Sequence, residues 1–415
     1  MRRIRLALPI NHLLVQLTPL VFIAFAFYFS SDRLKLVSIG RIPLFELLLA
    51  GAITLPVFSR IACTPLHLDI AGDAIQARSD ARAEIISGKI AQKLPQSLLL
   101  VALVVALTGW LMALRFHWSP TAMTAFMLFS LIETFFAQMM VYASLRHATL
   151  IWLSAWAIHA AIITISPAHY ALGPLTASAF IILALAGRKL TRIHKMKMFA
   201  FNRVALAHSL LAVFPGLLFW GDKLLLAIER QGTSGLEVIF LGIVPSILLS
   251  HLYFSHFAPP IHSALTAIND SMHRDSLSSF QHAKTENIEK VRLMLRRLFV
   301  AFAVIMSVSI PLLAAFAGTA DTRLLLIATS SLFECLNTQL VGLHQSAGSR
   351  SLALGTAVLH IVILAFLHFA GASMNMILST QCLFHFVAAC ALTQAFMKRW
   401  MNVEYHTVWK RLLVG

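Results

Sequence analysis

The sequence predicts an all-α integral membrane protein, with about twelve transmembrane helices in two parallel six-helix lobes related by a pseudo-twofold axis along the membrane normal. Three observations lead there. The chain of 415 residues is 59% hydrophobic and only 12% charged, against roughly a quarter charged in soluble domains. Apolar runs of the ~20 residues that cross a hydrocarbon core as helix recur along its whole length. And one stretch, SLIETFFAQ at 130–138, returns as SLFECLNTQ at 331–339.

Apolar runs bounded by charges and turn residues place twelve spans at 13–31, 42–62, 95–114, 120–141, 149–166, 170–187, 204–228, 236–258, 298–318, 323–343, 352–371 and 375–396. The start MRRIR followed by apolar residues imitates a secretory leader, but the run continues to Phe29 and further spans follow. An uncleaved first span is the better reading. An even number of spans puts both termini on one side. With that side cytoplasmic, its segments hold 26 Lys and Arg against 5 on the other, Lys223 and Arg323 lying within spans, the asymmetry expected because cytoplasmic basic residues near span ends resist translocation. The expectation is a multi-pass protein of the inner (plasma) membrane with both termini cytoplasmic. The net charge of +16 is therefore a topology signal, and no nucleic acid partner is expected, since the basic residues flank spans instead of forming one soluble patch.

Residues 94–163 align with 295–364 at a constant offset of 201 without a gap, laying spans three to five over nine to eleven. The weight falls on letters that are costly in lipid: Glu133 on Glu334, Gln138 on Gln339 and His159 on His360. Upstream, SDRLKL with Asp32 and Arg33 matches GDKLLL with Asp222 and Lys223, and TPLH with Pro65 matches PPIH with Pro260. Because six is even, both halves share one orientation and form parallel repeats. The expected division is 1–203 for the N-terminal lobe and 204–415 for the C-terminal lobe.

The two longest cytoplasmic connections, 59–94 and 259–297, carry apolar residues at helical spacing: Ile85, Ile86, Ile90 and Leu94 in one, Ile288, Val291, Leu295 and Leu298 in the other. These predict amphipathic helices that lie on the inner membrane surface and run into the following span.

Twelve spans in two parallel sixes, the Asp-Arg/Lys-Leu pattern late in spans one and seven, and the proline-containing exits of spans two and eight resemble the MOP flippase superfamily. That group includes multidrug extruders of the MATE type and polysaccharide and lipid-linked saccharide flippases. FPGLLFWGDKLLLAI at 214–228 is similar to the seventh span of the polysaccharide branch. The resemblance implies an alternating-access transporter or flippase, not an enzyme, exporting a lipid-linked or polymeric saccharide. The alternatives are a cation-coupled multidrug extruder of the MATE type and a membrane-embedded transferase acting on lipid-linked sugars. Its implied partners are membrane lipids, a saccharide or other amphipathic substrate, and envelope polysaccharide biosynthesis proteins.

An ionised carboxylate at mid-bilayer costs about 2.5–3.5 kcal/mol on insertion scales, so one inside a span needs compensation. Glu133 and Glu334, with Gln138, Gln339, His159 and His360, are the candidates for substrate contact or ion coupling. The competing reading is that each glutamate bonds Ser130 or Ser331 one turn earlier, or a neighbouring helix, and fixes packing within its lobe. Imidazoles in spans, His208 and His385 among them, suit either a proton relay or a hydrogen-bonded core. Asp32, Arg33, Asp222 and Lys223 are gate candidates, the competing reading being interfacial charges with Lys223 snorkelling. Pro215 and Gly216 are the candidate hinge of span seven. No cofactor and no metal site is expected: the spacing of five between His251 and His256 does not put both on one helical face, and Cys63, Cys335, Cys382 and Cys390 show no metal spacing.

Overall fold

The structure is a computed structural model that describes residues 10–76, 79–146, 148–186, 213, 216, 221–223, 226, 233–274, 276–316, 322–346 and 350–402. In chain order the helices are α1 (Ile10–Leu36), α2 (Leu44–Gln76), α3 (Ser79–Phe116), α4 (Pro120–Leu145), α5 (Thr149–Ile165), α6 (Leu172–Ala186), α7 (Thr233–Leu252), α8 (Ala258–Arg274), α9 (Leu277–Phe316), α10 (Thr322–Ser346), α11 (Arg350–Phe369) and α12 (Met374–Met401). Among the described residues, six helices are long and apolar enough to cross a membrane, and four shorter apolar helices accompany them. Most of span seven and the expected boundary at 203/204 lie outside the described residues.

The repeat read from the letters is also a repeat of helices. Adding 201 to Pro120–Leu145 gives 321–346, where α10 runs Thr322–Ser346. The same step carries Thr149–Ile165 to 350–366, where α11 runs Arg350–Phe369. Both α4 and α12 open on a serine cap, the Ser119 and Ser373 hydroxyls accepting from the amides of Ala122 and Met376.

The described residues form two compact units, those between 17 and 240 and those from 241 to 402 together with 10–16. In the first, α4 packs against α2, α3 and α6, and α5 against α6. In the second, α10 packs against α12, α9 and α11, so α4 and α10 are the central helices of their units. The repeated glutamines explain part of this. Gln138 Nε2 donates to Ser97 Oγ at 2.6 Å and to the Ala62 carbonyl at 3.3 Å, tying α4 to α3 and α2. Gln339 Nε2 reaches Ser250 Oγ at 3.3 Å, tying α10 to α7. Both glutamines therefore bond inside their own units. Interhelical bonds in membranes average about 0.6 kcal/mol and reach about 1.7. Gln138→Leu is accordingly expected to cost about 1 kcal/mol in detergent unfolding, and Gln339→Leu less.

The long connections 59–94 and 259–297 are helical almost throughout the described residues, and here one expectation is corrected. α3 and α9 do run without interruption from the amphipathic segment into the span, but the apolar faces are covered by protein, not by lipid. Ile86 and Ile90 are buried against Phe136, Met139, Met140 and Tyr142 of α4 and Ile181 of α6. In the second unit, Ile268 of α8 and Phe280 and Ile288 of α9 pack with Met397 and Trp400 of α12. Helical periodicity says which face is apolar; it does not say what covers it. Where α7 meets α8, residues 253–257 form a single π turn. Pro259 and Pro260 follow it, and their missing amides cannot complete the regular ladder.

A small hairpin after α1, which the apolar pattern does not predict, pairs Ser38 with Pro43 and Ile39 with Ile42. Its turn residues Gly40 and Arg41 have φ of 58° and 73°, the mirror-turn geometry that two-residue hairpins favour. Ser119 Oγ donates to the Gly40 carbonyl at 3.1 Å, so the hairpin is stitched to the start of α4.

Candidate functional site

Among the described residues, each unit holds a polar cluster built on the repeated glutamate and histidine. In the first, Glu133 lies on α4 and His159 on α5, with His159 Nε2 3.4 Å from Glu133 Oε1. The third member is Tyr170, whose hydroxyl donates to Glu133 Oε1 at 2.5 Å. Tyr170 gets there because Pro167–His169 form one 3-10 turn between α5 and α6, closed by the Tyr170 amide on the Pro167 carbonyl at 3.2 Å.

His159 is boxed by aromatic rings: Phe136 edge-on at 5.2 Å, Trp156 stacked at 6.0 Å and Tyr170 at 5.7 Å. Gly173 of α6 makes this possible, since a Cβ there would lie 2.7 Å from His159 Cδ2 and 3.3 Å from the His159 carbonyl. Gly173→Ala is expected to lower stability by about 1–3 kcal/mol through overpacking and to shift the imidazole; thermal unfolding of the purified protein checks it.

In the second unit Glu334 lies on α10, His360 on α11 and His385 on α12, each fully buried. His385 Nε2 is 3.6 Å from Glu334 Oε1, and the two imidazole centroids are 4.7 Å apart. One ligand atom from each of the three residues lies within 4.8 Å of the others. Phe384 stacks on His360 at 5.7 Å. Asn337, one turn after Glu334, donates from Nδ2 to the His385 carbonyl at 2.8 Å and faces His385 Nδ1 at 3.0 Å.

The structure thus brings Glu133 together with His159, and Glu334 together with His360, while Gln138 and Gln339 turn to other helices. Neither serine one turn earlier supplies the bond considered for the glutamates: Ser331 donates to the Ile327 carbonyl, and Ser130 Oγ has no hydrogen-bond partner among the described residues. Sequence reasoning misses Tyr170 and Asn337, and it marks His385 only as an imidazole within a span. The third partners come from non-equivalent places. The position 201 after Tyr170 is Gly371, and the position 201 before His385 is Ala184.

Of the gate candidates, Asp32 and Arg33 are exposed at the end of α1. Asp222 and Lys223 are buried and paired, Lys223 Nζ donating to Asp222 Oδ2 at 2.6 Å while the Lys223 amide donates to Oδ1 at 2.8 Å. Gly216 of the hinge pair is buried, and a Cβ on it would sit 3.5 Å from Val57 of α2. Pro215 lies outside the described residues.

The fold is shared with a solved structure. The crystal structure of MATE in the bent conformation matches 97% of this chain and 96% of its own, with a TM-score of 0.51 and 13% sequence identity. No family model and no curated protein matches the sequence. The likeness bears out the all-α, twelve-helix, two-lobed fold class expected from the sequence.

Proposed function

We propose that this chain is an alternating-access exporter of the inner membrane, with both termini cytoplasmic, moving a lipid-linked or polymeric saccharide outward. Cation or proton coupling resides at the carboxylate–imidazole clusters of Glu133 and Glu334. The observation that carries the reading is the pair of clusters at equivalent places in two structurally repeated units, within a fold shared with MATE. A carboxylate and an imidazole within about 4 Å suit a site that loads and unloads a cation, and intramembrane carboxylates mark such sites.

A cation-coupled multidrug extruder is the second reading, favoured by the fold shared with MATE over nearly the whole chain. The transferase reading gains nothing from the clusters: Glu334, His360 and His385 are fully buried among helices, whereas chemistry on a lipid-linked sugar needs a pocket its headgroup enters.

The experiment is reconstitution of the full chain in proteoliposomes under an imposed pH or sodium gradient. A fluorescent polyprenyl-phosphate-linked oligosaccharide and a lipophilic cationic dye are offered separately. Gradient-driven movement of the oligosaccharide supports the first reading, and movement of the dye alone transfers support to the second. Movement of neither sinks both.

A further inference from the structure

We infer that Glu334, His360 and His385, contributed by α10, α11 and α12, form a binding site for a divalent transition metal ion of the zinc class. Two imidazoles and one carboxylate form a borderline ligand set, used for zinc and its neighbours and unlike the all-oxygen sets that take sodium, calcium or magnesium.

The geometry is close to what such an ion needs. With ligands at about 2.0–2.1 Å, the edge of a tetrahedral site is about 3.3 Å; the Glu334 Oε1 to His385 Nε2 separation is 3.6 Å. All three donor atoms lie within 4.8 Å of one another on three helices that pack in one unit. A side-chain rotation of the His360 ring closes the remainder.

Gln381 adds an independent observation. It is fully buried one turn before His385 on the same face of α12, and neither atom of its carboxamide has a hydrogen-bond partner among the described residues. It offers a further oxygen donor on that face. The first unit does not repeat the set: Tyr170 occupies Glu133 there, and no second imidazole joins His159 among the described residues. The duplicated glutamate and histidine have therefore diverged in chemistry.

Asn337 sets a condition. With its amide nitrogen facing Nδ1, the His385 ring proton lies on Nε2, towards Glu334. Ligation through Nε2 needs that proton on Nδ1, with the carboxamide rotated so that Oδ1 accepts it while Nδ2 keeps its bond to the His385 carbonyl, the second-shell arrangement typical of metal-bound histidine. Oδ1 has no other hydrogen-bond partner among the described residues.

The test is metal binding by the purified full-length protein, measured without transport so that this inference and the export reading fail separately. Cobalt(II) is expected to bind one per chain, to give visible d–d absorption and to be displaced by zinc(II). Glu334→Gln and His385→Gln are each expected to weaken binding at least about tenfold, while His282→Gln on the exposed face of α9 leaves it unchanged. Should the variants fold poorly, X-ray absorption of the zinc-loaded wild-type protein decides, with two imidazoles expected in the first shell. Absence of stoichiometric binding, binding that survives both substitutions, or a first shell without imidazole overturns the site.

Discussion

Lys223→Met is expected to remove most of the folded protein, and adding Asp222→Asn to restore much of it. Both residues are essentially inaccessible, at 0% and 1% exposure, and Lys223 Nζ donates to Asp222 Oδ2 at 2.6 Å. Breaking a buried pair by removing one partner leaves an uncompensated charge and costs about 3–5 kcal/mol, whereas replacing both partners with neutral groups is often close to neutral. Asparagine keeps the acceptor that the Lys223 amide uses at Oδ1, so the double variant loses the charges without losing that bond. Fluorescence-detected size exclusion of the wild type, the single variant and the double variant checks this. A single variant as stable as the wild type would show that the pair is not what holds this segment of span seven in place.

That pair marks a limit of sequence reading. The letters put Asp222 and Lys223 late in a span, where an interfacial lysine reaching for water is as reasonable as a gate. What decides between them is what the neighbouring helices cover, and that is not a local property. By contrast, the spans and the repeat are legible because each rests on local signals: apolar run length, the side on which Lys and Arg collect, and a constant offset of rare polar residues. The helices α4, α5, α10 and α11 follow that offset to within a few residues. The hairpin at 38–43 escapes the pattern because its strands have two residues each, too few for any alternation to register.

The clusters are half legible for a related reason. Repetition itself exposes Glu133, His159, Glu334 and His360 as candidates. Tyr170 and His385 stay hidden because they break it: each joins its glutamate from an element whose counterpart in the other half carries Gly371 or Ala184. Symmetry reveals what duplication preserved and passes over what divergence added. Here the additions decide the chemistry, a phenol on one carboxylate and a second imidazole beside the other.

That divergence makes Glu133→Gln and Glu334→Gln unequal. Glu133 keeps 14% side-chain exposure, whereas Glu334 keeps none. A group that exchanges an ion during a transport cycle needs a path to it, so of the two proposed coupling sites Glu133 is the more accessible. Glutamine at 133 retains an oxygen to accept from Tyr170, and the substitution removes charge with little change in shape. Glu133→Gln is therefore expected to leave folding near wild type while lowering gradient-driven export at least about tenfold, the size of a ~1.4 kcal/mol loss in coupling. At Glu334 the same substitution takes a carboxylate from beside two buried imidazoles, and its first effect is expected to be a lower unfolding temperature. Measuring unfolding and gradient-driven uptake on the same preparations separates the two. If Glu133→Gln transports normally across all imposed gradients, its cluster holds helices together and couples nothing.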